Sequence, residues 1–222
     1  MRIVDLTLPV SDLAQACAYF SEVLQLPVEG HCVQIGWTRL RLREAGNEPV
    51  GGVHLAFNVP ANRFEAATTW LLQRAPLQTN AKGEAHFTFG DAWASESIYF
   101  EGPDGLILEL IGRRRLLASD RTGPFHGSEL TCVSEVGLPV ADVPALHARA
   151  EAVLGLTPLS PPTPHFAALG DDEGLLIVVD ATRAWFPEQR VQPNARGIVV
   201  HATDCTAGEL VDDTQGWRVA CP

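Results

Sequence analysis

Lysine is almost absent from this chain: of its 16 basic residues, all but Lys82 are arginine. Set against 27 acidic residues they leave a net charge of −11, and no segment carries a basic stripe. Such a balance offers no electrostatic footprint for nucleic acid or an anionic membrane surface. Long apolar runs are missing too; none approaches the ~20 residues of a membrane span. Five cysteines (Cys17, Cys32, Cys132, Cys205, Cys221) show no C-x-x-C spacing. This argues against zinc-finger chemistry and reads as reduced, mostly packing cysteines of a cytoplasmic protein. The first residues, Met1 to Leu6, run directly into a strand pattern and not into the apolar core of a signal peptide. No G-x-S-x-G, P-loop or dinucleotide glycine fingerprint occurs.

What is present is a globular composition, 46% hydrophobic and 19% charged over 222 residues, long enough for one large domain or two small ones. Residues 2–9 alternate as a strand. Leu13, Ala16, Cys17, Phe20 and Leu24 then recur at helical spacing behind a capping Ser11 or Asp12. Short strands follow around 28–32, 33–37 and 38–44. The order then recurs: strand 53–59, a helical stripe through Phe64, Ala67 and Leu71, and strands near 84–89, 95–101 and 106–111. Residues 113–129 read as a linker. Displacing the first unit by 130 residues lays Leu8-Pro9-Val10 on Leu138-Pro139-Val140 and Asp12 on Asp142, an internal repeat. A third unit therefore follows, with strands at 165–169 and 175–180. A fourth begins at 197–203, with 217–220 as a further strand, and is too short for a long helix.

One stretch is unusual. Tyr99 to Ile111 reads strand, Pro103-Asp104-Gly105 turn, strand. In the second strand Glu109 is the sole carboxylate among apolar residues, a costly position if buried without a partner.

The segments Leu6-Thr-Leu-Pro-Val-Ser-Asp-Leu13, Ser97 to Ile111, and Val136-Gly-Leu-Pro-Val-Ala-Asp-Val143 followed by Leu154-Gly-Leu156 resemble the vicinal oxygen chelate superfamily of glyoxalase I, bleomycin-resistance proteins and extradiol dioxygenases. The resemblance implies an α+β fold of repeated βαβββ modules, paired into open, cup-shaped mixed sheets with helices outside. It implies a first paired domain over 1–112 (modules 1–46 and 49–112). A linker, 113–129, and a degenerate second half, 130–222, with an incomplete last module would follow. Within that frame the metal ligands fall on Asp5, His54 and Glu109, with Asp5 where the superfamily usually has His. Strand parity places all three on faces opposite the helices. One imidazole and two carboxylates suit a divalent ion such as Mn, Mg, Fe or Zn.

Arg41 occupies the position matching Glu109 in the first module and offers an alternative, an Arg–carboxylate network without a metal. By parity Tyr99, His86 and Thr88 also face the cup, and Trp93 lies on the loop above it. Tyr99 or His86 would then position substrate or move a proton beside Glu109. Glu135 takes the place of Asp5 in the third module and could pair with His201, in a half otherwise read as degenerate scaffold. Two functions stay open: a metal-dependent lyase, isomerase or dioxygenase-like enzyme, or a non-catalytic small-molecule binder. Either would take a small-molecule ligand, with dimerisation allowed.

Overall fold

The computed structural model describes residues 1–222. Its first module comprises Arg2–Val10 (β1), Leu13–Ala18 (α1), Val28–Glu29 (β2), Cys32–Ile35 (β3) and Thr38–Glu44 (β4). The second comprises His54–Pro60 (β5), Phe64–Leu72 (α2), His86–Phe89 (β6), Ser95–Glu101 (β7) and Ile107–Arg113 (β8). The third has Cys132–Val140 (β9), Val143–Leu154 (α3), Phe166–Asp171 (β10) and Gly174–Asp180 (β11). The fourth has no helix, only Val199–Thr203 (β12), Gly208–Asp212 (β13) and Trp217–Cys221 (β14). Of these, β13 has no counterpart in the sequence reading.

The repeat is visible in the caps. Asp12 and Asp142 both accept a hydrogen bond from the backbone three residues on, opening α1 and α3 alike. Gly155, at φ +67°, closes α3 in the left-handed conformation. The helical stripe expected to about residue 25 is split. It is α-helical to Ala18, then widens into a π turn over Tyr19–Val23 that carries Phe20 into the core.

Two seven-stranded mixed sheets result, ordered β13-β14-β12-β1-β4-β3-β2 and β10-β11-β9-β5-β8-β7-β6. Their helix-facing sides share one apolar core of 50 buried residues, Leu6, Leu40, Leu55, Leu108 and Leu138 among them. A separate cluster of eight, including Phe87, Tyr99, Ile177 and Trp185, lies on the opposite, concave face of the second sheet. No helix is long and apolar enough to cross a membrane.

This strand order corrects the expected pairing. Residues 1–112 do not form one paired domain. The second module joins the third through antiparallel β5–β9, and the first joins the fourth through antiparallel β1–β12. Every residue of β5 and of β9 is buried. Each is therefore a central strand needing a partner on both edges, and each module's own strands cover only one of them. Nor is 113–129 a loose linker. Arg113 ends β8 fully buried, Phe125 packs against Trp70 at 5.3 Å, and Glu129 accepts from Arg63 at 2.8 Å with both side chains buried. The cysteines need a correction as well. Cys205 and Cys221 form a disulfide that ties the end of β12 to β14, leaving Cys17, Cys32 and Cys132 free.

Candidate metal centre at the floor of an aromatic cup

The centre of the second sheet is built around a small residue. Ala56 on β5 lies beside Glu109 of β8 and beside Glu135 of β9, so both carboxylates rise from the concave face on either side of one methyl group. A bulge interrupts the β5–β9 ladder just after Ala56, a local irregularity that re-aims side chains. His54, two residues earlier on the same face, completes a cluster whose ligand atoms all lie within 4.8 Å of one another. His54 Nε2 is 3.5 Å from Glu109 Oε2 and 3.5 Å from Glu135 Oε2. All three side chains are buried.

Hydrogen bonds around the cluster decide which atoms are free. His54 Nδ1 lies 3.2 Å from the Ile107 carbonyl, an acceptor that fixes the proton on Nδ1 and turns Nε2 toward the carboxylates. The Arg113 guanidinium, sealed from solvent, donates to Glu135 Oε1 and leaves Oε2 facing His54. Arg113 also approaches Asp172 at 3.6 Å and lies under Trp93, 5.7 Å from its ring centroid.

The electrostatics follow from packing two acids into a dry site. Burial, then the neighbouring Glu135 charge, push Glu109 up to about 7, against the pull of His54 and Arg113. Burial lowers His54, but its hydrogen bond to Glu135 and the charges of both carboxylates outweigh that and raise it. Burial and the same two carboxylates hold the Tyr99 phenol well above its usual value, so it stays protonated. Three convergent donors, one imidazole nitrogen and two carboxylates, fit a divalent cation.

Above the floor is a cavity of about 260 Å³ walled by Phe89, Trp93, Tyr99, Phe166, Trp185 and Phe186. Trp185 and Phe186 come from the segment 181–198 that connects β11 to β12 across the mouth of the cup. Trp185 is anchored by its indole N–H to Gly52 O at 2.7 Å and packs against His54, the ring centroids 5.2 Å apart and the planes tilted by 40°. Gly137 beneath it has no room for a side chain: a Cβ there would stand 2.6 Å from the Trp185 ring.

The sequence-based candidates separate accordingly. His54, Glu109, Tyr99 and Trp93 come together in this cavity. Asp5 does not; it lies on the first sheet opposite His201 and pairs with Arg41 at 2.8 Å and Arg39 at 3.1 Å. Arg41 thus meets Asp5 as anticipated but never reaches Glu109, and the cation at the carboxylates is Arg113. Both His86 and Thr88 are exposed on the outer face, where His86 contacts Glu96 at 3.1 Å and stacks on Phe64. Their parity was misjudged because β6 registers Phe87 opposite Ser97, which shares the face of Tyr99, so the phenylalanines point inward. Glu135 is the member that sequence reasoning left aside. Its signal was there in the 130-residue shift onto Asp5, but that signal identifies a ligand position only once the third module is known to pair with the second.

No protein-family profile and no curated protein matches the sequence. Solved structures do match over the whole chain. A provisionally assigned dioxygenase of Bacillus subtilis superposes with a TM-score of 0.62 at 12% identity, covering 100% of this chain and 85% of its own. Glyoxalase I from Zea mays gives 0.58 at 14%, covering 99% of this chain and 91% of its own. The fold is therefore of the vicinal oxygen chelate type, two-module α+β cups with helices outside. At these identities the likeness establishes the fold and leaves the chemistry to the site.

Proposed function

We propose that this protein is a metal-dependent enzyme acting on a small molecule held in the cup of the second sheet, of the lyase, isomerase or dioxygenase-like kind. His54 Nε2, Glu109 and Glu135 Oε2 would hold a divalent ion, with Mn, Mg, Fe or Zn compatible with the donor set. The observation that carries this reading is the convergence of three buried donors at the base of a cavity otherwise walled by aromatic rings. When bound, the ion would supply Lewis-acid polarisation of a substrate oxygen.

The chain's own residues have separable tasks. Ile107 O and Arg113 fix the imidazole tautomer and the free oxygen of Glu135. Tyr99, protonated beside Glu109, can donate a hydrogen bond either to a substrate oxygen or to that carboxylate. The aromatic walls and the 181–198 segment keep water off the floor, which strengthens each electrostatic contact there.

Metal analysis of the purified protein, with Glu109→Ala and Glu135→Ala as controls, tests the reading. About one divalent ion per chain in the wild type, and loss in both variants, is expected. Equal content in all three would overturn it.

The Arg113–Glu135 pair favours one second reading, a binder without catalysis in which a guanidinium replaces the ion. That reading expects ligand-dependent thermal stabilisation to survive a chelator.

A further inference from the structure

The cavity has a charge gradient along its depth. Two carboxylates stand at the floor, and the one guanidinium in the lining, Arg183, is exposed at the mouth. Arg183 belongs to the same crossing segment as Trp185 and Phe186. Unlike Arg63, Arg113 and Arg115, each held by a carboxylate, Arg183 is held only by the face of Phe166, 5.2 Å from the ring centroid. Its hydrogen-bonding edge is uncommitted, in a chain where acidic residues outnumber basic ones.

From this arrangement, and resting on the cup being the substrate site, we infer that the ligand is a single-ring aromatic carboxylate, its ring between the aromatic walls and its carboxylate on Arg183. Size, shape and charge each contribute. Benzene fills an apolar cavity of about 150 Å³, so 260 Å³ takes one ring with a short arm. Walls of Phe and Trp favour stacking over the packing of a flexible chain. A planar guanidinium fork matches a carboxylate with two parallel hydrogen bonds. Arg183 is the one guanidinium in the lining, and in the metal-free protein the carboxylates of the floor repel another anion, so the carboxylate is directed to the mouth and the opposite end of the molecule to His54, Glu109 and Glu135. Arg183 is thus a specificity-determining residue, and it fixes which end of the substrate reaches the floor.

The test is a titration of intrinsic tryptophan fluorescence, since Trp93 and Trp185 line the cavity. Phenylacetate, its uncharged isostere phenylacetamide, and acetate are compared in protein kept metal-free with a chelator. Phenylacetate is expected to bind roughly tenfold or more tighter than either of the others. In Arg183→Gln the preference over the amide should fall to about unity, while Arg190→Gln, on the same segment but outside the cavity, should keep it. Equal binding of acid and amide, a preference that survives Arg183→Gln, or no saturable response to any of the three would overturn the inference. Because no metal is present in the titration, a protein that prefers phenylacetate but binds no ion refutes the metal-dependent reading alone. One that binds an ion but shows no preference refutes this inference alone.

Discussion

Arg113 donates to Glu135 with both side chains shut away from solvent, one at the end of β8 and the other in the middle of β9. The pair spans the seam between the second and third modules. It anchors one wall of the candidate metal centre, and it is the sole ion pair that Glu135 makes with an arginine. Removing the cation strands a buried charge, which typically costs about 3–5 kcal/mol. Arg113→Met should therefore lower stability by about that amount in urea denaturation. Adding Glu135→Gln to it should recover much of the loss, because the remaining amide carries no charge. A double variant no more stable than Arg113→Met would refute the assignment.

The methyl of Ala56 holds the space between the two carboxylates. Ala56→Val adds bulk at a fully buried position, with an expected cost of about 1–3 kcal/mol. The sheet should still form, since valine suits a strand. Metal uptake followed by calorimetry should fall at least tenfold, with circular dichroism unchanged.

The pH dependence of the centre has a definite sign. Glu109 is raised from 4.5 to about 7 in the folded protein. A raised folded value means that the group's contribution to stability is fully present below 4.5 and is lost as pH rises through about 7. The metal-free protein should therefore lose stability over that window, and Glu109→Gln should flatten the slope. Metal binding requires the carboxylate form, so affinity should weaken by up to about tenfold per unit as pH falls below 7, with proton release on binding. Calorimetry in two buffers of different ionisation enthalpy measures that proton directly.

Gly137 gives the crossing segment its seat. A Cβ there would meet the Trp185 ring at 2.6 Å and the His54 Cβ at 3.0 Å. Gly137→Ala should displace Trp185, shift tryptophan emission to the red, and cost about 1–3 kcal/mol. If emission and the phenylacetate response both stay unchanged, Trp185 is not the cover of the cup.

How far the sequence could be read depended on the range of each interaction. Alternation in β1, β5, β8 and β9 was legible because side-chain direction repeats every two residues, whatever lies alongside. A cap at Ser11 or Asp12 was legible for the same local reason, and the 130-residue shift lays Asp142 on Asp12. His54 and Glu109 stood out as polar residues on otherwise apolar strands. Short β6 was misread because a four-residue strand alternating His, Phe, Thr, Phe fits either face. Only its register with β7 shows that the phenylalanines point inward. The Cys205–Cys221 bond was hidden by an odd count and by a strand, Gly208–Asp212, between its partners.

By itself, then, the sequence determined the repeat, the strand–helix openings of the first three modules and a lone carboxylate, Glu109, on the last strand of the second module. Tertiary structure decided which modules meet. All four begin with a similar apolar strand, and local pattern carries no preference between two such edges. That choice is made by burial along the whole of β5 and β9 at once. It exchanged Asp5 for Glu135, put Arg113 where Arg41 had been expected, and laid 181–198 across the cup that now holds the site.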